Sequence, residues 1–321
     1  MAIATLPDAK KAIQALTETV WIFAVLTALA ETSGLHALLK GADLAVLTDL
    51  TQIPTTILQE ALALLSEKGF VSIQGDKYQL APSLLSVAEQ DGLDKIIAQL
   101  QITFGITREF VTSARNRSLR LGWHYTDESI LQAQGTYSEY IVTDCIPLDP
   151  KLHHLLSQPQ SVLLDVGAGV GKITLLLCKT YPSLRVVAIE PADKPYALAQ
   201  TNIQQSTFHD RIELRKIFIE ELDDQNVFDV IWFPHVFFSD ETVKTGLKTA
   251  IRALKPGGIL LTTALSRDKP PARMRQLLNS LHSNVRLTDD IKHYLDEAGF
   301  HSIQVFSTPS DYSVITATKP E

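Results

Sequence analysis

Ser161-Val162-Leu163-Leu164-Asp165-Val166-Gly167-Ala168-Gly169-Val170-Gly171-Lys172, running on through a helical Lys172 to Tyr181 into Arg185-Val186-Val187-Ala188-Ile189-Glu190, is the stretch around which the chain is organised. Val162 to Leu164 is a short apolar run that suits a buried parallel strand, and Arg185 to Ile189 is a second one. Between them Asp165 to Gly171 carries glycine at every second position, which lets the backbone turn sharply and lets a ligand approach where no Cβ intervenes. The order strand, glycine turn, helix, strand is a βαβ unit shaped for a nucleotide-like ligand. Glu190, ending the second strand, is placed to accept two hydroxyl hydrogens from a ribose.

The glycine spacing separates competing ligands. A dinucleotide fingerprint G-x-G-x-x-G begun at Gly167 needs a third glycine at position 172, where Lys172 stands. A phosphate-binding loop G-x-x-x-x-G-K-[ST] finds its Gly171-Lys172 pair but has Ile173 where a magnesium-binding hydroxyl is required. Each phosphate reading lacks a necessary group.

Downstream, helix Lys194 to Ile203, strand Arg211 to Lys216, strand Val227 to Phe233 and helix Thr242 to Leu254 continue the alternation. A tight turn at Lys255-Pro256-Gly257-Gly258, strand Ile259 to Thr263 and helices Ala272 to Leu281 and Thr288 to Ala298 follow, and strands Ser302 to Phe306 and Tyr312 to Thr318 close the chain as a hairpin. This predicts an α/β domain over 158–321: a seven-stranded mixed sheet with helices on both faces.

The N-terminal part reads differently. Ile13, Leu16, Val20, Phe23 and Ala24 share one helical stripe, and Trp21, Val25 and Leu29 add a second apolar face. A helix apolar on two sides needs two partners, so a homodimer contact is expected here; a helix wholly inside its own domain reads the same way. Helices Gly34 to Leu39, Leu44 to Leu50 and Pro54 to Lys68, then a hairpin over Phe70 to Leu80, describe a mainly α winged-helix domain over 1–88. Five lysines, no arginine and eight carboxylates between Met1 and Leu85 argue against nucleic acid as its partner. Residues 89–157, with helix Leu93 to Arg115, the cluster Trp123-His124-Tyr125 and a helix beginning at Thr126-Asp127-Glu128, form a helical connector placed like a lid.

Composition narrows the class. Among 321 residues, 45% are hydrophobic and 20% charged, with a formal net charge of −7, which suits a globular protein and disfavours a polybasic anchor. Only Cys145 and Cys178 are present, without metal-type spacing, and His153-His154 lack a third ligand, so no metal is expected. The apolar run Val20 to Ala30 is shorter than the roughly 20 residues a membrane helix needs, and no signal-peptide pattern opens the chain. The expectation is a cytoplasmic protein without a membrane partner.

Val162 to Gly171, Glu190, Phe228-Asp229-Val230-Ile231 and Leu254-Lys255-Pro256-Gly257-Gly258 together resemble a class I S-adenosylmethionine-dependent methyltransferase. The N-terminal half resembles the dimerisation domain of small-molecule O-methyltransferases, a family that includes plant phenolic and bacterial natural-product enzymes. The resemblance implies a Rossmann-like sheet in the order 3-2-1-4-5-7-6, S-adenosyl-L-methionine as cofactor, a homodimer through the N-terminal domain and a small aromatic or polyketide-like acceptor of secondary metabolism methylated at oxygen. Transfer to nitrogen or carbon, or a cofactor-binding relative without transfer, stays open.

It further implies that Asp165, Gly167, Ala168, Gly169, Gly171, Glu190, Pro191, Phe218, Phe233 and Tyr137 surround the cofactor. Phe218 stands where the family often has an acidic residue for the adenine amino group, and either stacks on adenine or belongs to the core. Trp123, His124, Tyr125 and Phe237 would meet the acceptor. His235 follows the fourth strand and is the candidate general base, or else a hydrogen-bonded structural histidine. The plant-like enzymes place their histidine slightly later: aligned on Ser239-Asp240-Glu241 that position is Val236, and counted from Asp229 it is Phe238.

Overall fold

The computed structural model describes residues 6–120, 122–266, 277, 284, 286–308 and 312–321. They form two compact units divided between Thr112 and Ser113.

In the first unit α1 (Leu6–Glu31) is followed by α2 (Gly34–Lys40), β1 (Ala42–Asp43), α3 (Leu44–Thr51), α4 (Thr55–Glu67), the hairpin β2 (Val71–Gln74) and β3 (Lys77–Leu80), α5 (Pro82–Val87) and α6 (Leu93–Arg115), whose last three residues lie past the division. Leu58, Leu62 and Leu65 recur at helical spacing on α4 and are fully buried with Leu29, Leu38 and Leu47. The Asp43 carboxylate accepts from the Val46 amide and so starts α3. Gly69, at φ +76°, stops α4 while the Phe70 amide reaches back to the Leu65 carbonyl. Strand β1, which sequence periodicity did not reveal, adds to the hairpin in the order β1-β3-β2. Two residues are too few to show an alternation.

The two halves of α1 differ. From Leu26 on it joins the core, whereas Ile13, Leu16, Val20 and Trp21 are each more than 60% exposed. By length and composition Pro7–Glu31 is also apolar enough to cross a membrane. The shorter run Val20 to Ala30 understates it, because the apolar stripe begins a turn or two earlier.

The second unit holds α7 (Glu128–Ser138), α8 (Pro150–Leu156), β4 (Val162–Val166), α9 (Lys172–Thr180), β5 (Arg185–Ile189), α10 (Asp193–Gln204), β6 (Ile212–Arg215), β7 (Phe228–Trp232), α11 (Asp240–Ala253), β8 (Leu254–Leu265), α12 (Thr288–Glu297), β9 (His301–Ser307) and β10 (Tyr312–Thr318). The sheet order is β6-β5-β4-β7-β8-β10-β9, which is 3-2-1-4-5-7-6 counted within the domain, as the resemblance implies. Strands β4 to β8 pair parallel and β10 pairs antiparallel with both neighbours. Successive β4 residues face opposite cores: Leu163 packs with Val186, Val230 and Leu177, and Leu164 with Ile231, Leu260 and Leu247. Burial on both faces explains why the strands read as continuous apolar runs.

One boundary differs from expectation. The Lys255 to Gly258 turn is absorbed into β8 as a register shift opposite β7, with Gly257 at φ +72° and a Cβ on Gly258 falling 3.2 Å from the Asp229 carbonyl oxygen. The helix expected over Ala272 to Leu281 lies outside the described residues except for Leu277.

Candidate functional site

The strand order reverses between β4 and β7, and ligands of open α/β sheets bind beyond the strand ends at such a point. Here the Gly167 to Gly171 turn leaves β4 and the Pro234 to Ser239 loop leaves β7. In the turn Gly167, Gly169 and Gly171 have φ of +66°, +59° and +79°, conformations that side-chain-bearing residues rarely adopt. Nothing lies within 4 Å of a Cβ built on Gly169, so this glycine also leaves open space above the backbone.

Glu190 is buried at the end of β5. Its Oε2 accepts from the Gly169 amide and its Oε1 from the Ala192 amide, both at 2.9 Å. Burial raises its pKa and these two bonds oppose the rise. A carboxylate offers about four lone-pair sites, so each oxygen keeps capacity for one more donor. Asp165 lies on β4 with no exposed surface. Its Oδ2 accepts from the Thr174 hydroxyl at 2.5 Å, while Oδ1 is buried and has no partner among the described residues. Burial raises its pKa to about 6, against the Thr174 hydrogen bond and with a further push from Glu190. An orphaned buried carboxylate oxygen, an open glycine and a second carboxylate with spare lone pairs suit a ligand that carries both a positive charge and vicinal hydroxyls.

Helix α7 stands close to this turn. A Cβ on Gly135 would fall 2.5 Å from Val170 Cγ2 and 2.8 Å from Lys172 Cγ. Asn202 on α10 donates to the Val170 carbonyl at 2.8 Å and to Gln132 at 3.3 Å, tying α7, α10 and the turn together. Tyr137, lower on α7, is exposed beside Tyr140.

The β7 loop supplies the other side. Phe238 lies 3.5 Å from a Cβ placed on Gly167 and meets Phe233 edge-on, with ring centroids 5.4 Å apart. Phe233 is enclosed in the core against Gly246. Phe237 meets Trp123 at 5.5 Å, and Trp123 meets Tyr125 at 4.9 Å, with His124 stacked on Tyr125. The four residues expected near an acceptor therefore form one aromatic cluster. Phe218 is 58% exposed just past β6, with its amide donating to Glu221. Pro191 follows Glu190 and is half-buried, as are Ala168 and Gly169.

His235 is buried. Its Nδ1 lies 3.1 Å from the Thr262 hydroxyl, which donates at 2.7 Å to the Phe233 carbonyl. Burial, then the positive charge of Arg286, lowers its pKa to about 3. Arg286 spends its guanidinium on the same loop, donating to the carbonyls of His235 and Phe238, to Asn284 and to the Asp240 carboxylate. Sequence reasoning missed Gly135, Asn202, Thr262 and Arg286. Only Gly135, a lone glycine inside a helical pattern, carried a local signal.

The fold has known counterparts. The methyltransferase domain family matches residues 163–258. Malonyl-[acyl-carrier protein] O-methyltransferase of Priestia megaterium is 29% identical over 116 residues, covering 34% of this chain and 41% of that protein. The chain thus spans less than half the length of the curated relatives it matches. Among solved structures, an O-methyltransferase family protein from Burkholderia thailandensis has a TM-score of 0.70 at 14% identity, covering 100% of this chain and 99% of the other. Human N-acetylserotonin methyltransferase, solved in complex with S-adenosylmethionine, has a TM-score of 0.66 at 18% identity and covers 100% of both chains.

Residues 163–258 thus match the methyltransferase domain family, and the chain shares the fold of these solved methyltransferase structures. In this chain the matched segment follows a mainly helical N-terminal region.

Proposed function

We propose that the protein transfers the methyl group of S-adenosylmethionine to a small-molecule acceptor, at oxygen on an aromatic or polyketide-like metabolite. The observation that carries this reading is Glu190: a buried carboxylate wedged under the glycine turn, each oxygen held by one amide and each with a lone pair to spare for a ribose hydroxyl. Bound there, the cofactor supplies a methyl carbon activated by the sulfonium charge. The chain's own residues then orient it and exclude water. Glu190 holds the ribose, Asp165 Oδ1 faces the cationic end, the Gly167 to Gly171 backbone passes the methionine portion, and Phe218 is free to stack on adenine. Alignment of an in-line displacement is worth about 7 to 11 kcal/mol, so positioning accounts for much of the rate.

The aromatic cluster Trp123, Tyr125 and Phe237 supports a flat acceptor. His235 accepts the acceptor's hydrogen. A cofactor-binding protein without transfer is the second reading, favoured by Phe238 at one counted position of the family histidine and by the low basicity of His235. Incubation with S-adenosylmethionine and a panel of phenols, amines and carboxylic acids, read by mass spectrometry, separates the two. A methylated product supports the enzyme, and binding without product across the panel supports the second reading.

The exposed apolar stripe Ile13, Leu16, Val20 and Trp21 supports a homodimer through a winged-helix N-terminal domain. The domain layout 1–88, 89–157 and 158–321, with the middle segment serving as a lid, and a cytoplasmic location belong to the same proposal.

A further inference from the structure

Thr262 sits on β8, beside the β7 loop, and holds the ring of His235 in one chemical form. A carbonyl oxygen can only accept, so the hydrogen in the 2.7 Å contact between Thr262 and Phe233 belongs to the Thr262 hydroxyl. That hydroxyl has no second hydrogen to give. Toward His235 it presents lone pairs, and the Nδ1 atom 3.1 Å away is therefore the ring nitrogen that carries the proton. The other nitrogen, Nε2, is left as a bare acceptor, and it is buried with no hydrogen-bond partner among the described residues. An unpaired buried polar atom costs about 1 to 3 kcal/mol, and such atoms in folded proteins call for a reason. His235 also stands in the same short turn as Phe237, which touches Trp123.

We propose that Thr262 is a positioning residue: it locks His235 as the Nδ1-protonated tautomer, so that Nε2 offers its lone pair to an O–H or N–H of the methyl acceptor. This rests on the reading of the site as a methyltransferase. It makes the site selective for acceptors that carry a donor hydrogen at the reacting atom. In the transfer the acceptor lone pair forms the new bond to the methyl carbon, the carbon–sulfur bond breaks, and its electron pair leaves on sulfur as a neutral thioether. The displaced hydrogen leaves as a proton along its hydrogen bond and is taken up by Nε2.

The test uses the full chain labelled with ¹⁵N-histidine, with His235→Gln assigning the resonance. Long-range ¹H–¹⁵N correlation is expected to show a protonated Nδ1 and a bare Nε2 in the wild type and in Thr262→Ser, and a mixture of tautomers in Thr262→Val. With S-adenosylhomocysteine bound, saturating phenol or aniline is expected to move the Nε2 resonance. For whichever panel compound is methylated, Thr262→Val should lower kcat/KM by about tenfold, as for one lost hydrogen bond, while Thr262→Ser recovers most of it. A wild-type Nε2–H, a tautomer indifferent to Thr262→Val, or an Nε2 resonance moved by neither phenol nor aniline overturns the proposal. Calorimetry with S-adenosylhomocysteine is run beside it. Failure of the wild type to bind would remove the methyltransferase reading, whereas the tautomer result stands or falls separately.

Discussion

Replacing Asp165 with asparagine should change how stability depends on pH, and the structure gives both sign and size. The carboxyl has no exposed surface, and burial carries its pKa from 3.8 to about 6 despite the Thr174 hydrogen bond. The folded state therefore holds this proton more tightly than the unfolded chain does. Stability from this group is fully present below pH 4 and is lost as pH rises through 6. The rise from 3.8 to about 6 corresponds to roughly 3 kcal/mol. The amide that Asp165→Asn introduces does not titrate. Urea unfolding of both proteins at several pH values, followed through tryptophan fluorescence, gives the difference directly. The variant should gain on the wild type by about 3 kcal/mol between pH 4 and pH 8. A difference that is flat, or that slopes the other way, would refute the reasoning.

Three further outcomes are expected. Gly135→Ala drives a Cβ into Val170 and should cost about 1 to 3 kcal/mol in thermal unfolding while weakening cofactor affinity, because α7 must lift from the turn. Cys145 and Cys178 are buried, with their thiols pushed up to about 12 and about 11, so iodoacetamide at pH 8 should label neither until the protein is unfolded. Leu16→Asp places a charge in the exposed stripe of α1 and should convert a dimer to monomer in sedimentation; a wild type that is already monomeric would remove the dimer proposal.

The parts of the fold read correctly from sequence are those with a periodic or conformational signal. Val162 to Leu164 and Arg185 to Ile189 are apolar throughout because both sheet faces are covered, and alternate glycines announce three positive φ values. The alternation of units gave the seven strands, and the resemblance to methyltransferases gave their order. Strand β1 escaped because two residues carry no period. Nothing in a linear sequence brings Arg286 to the carbonyls of His235 and Phe238, or Thr262 to His235, since these contacts span 27 to 51 residues and use ordinary polar side chains. Phe233 closes β7 with its ring buried against Gly246 and edge-on to Phe238, a packing that no local pattern announces.

Glu190 remains the point on which the account turns, and calorimetric titration of S-adenosylhomocysteine into the wild type, Glu190→Ala and Glu190→Gln tests it most directly. The wild type is expected to bind. Loss of a charge-assisted bond worth about 1.5 to 3 kcal/mol predicts affinities weaker by about tenfold or more in both variants. A wild type that does not bind, or variants that bind as tightly as it does, would contradict the assignment of the glycine turn and Glu190 to the methyl donor.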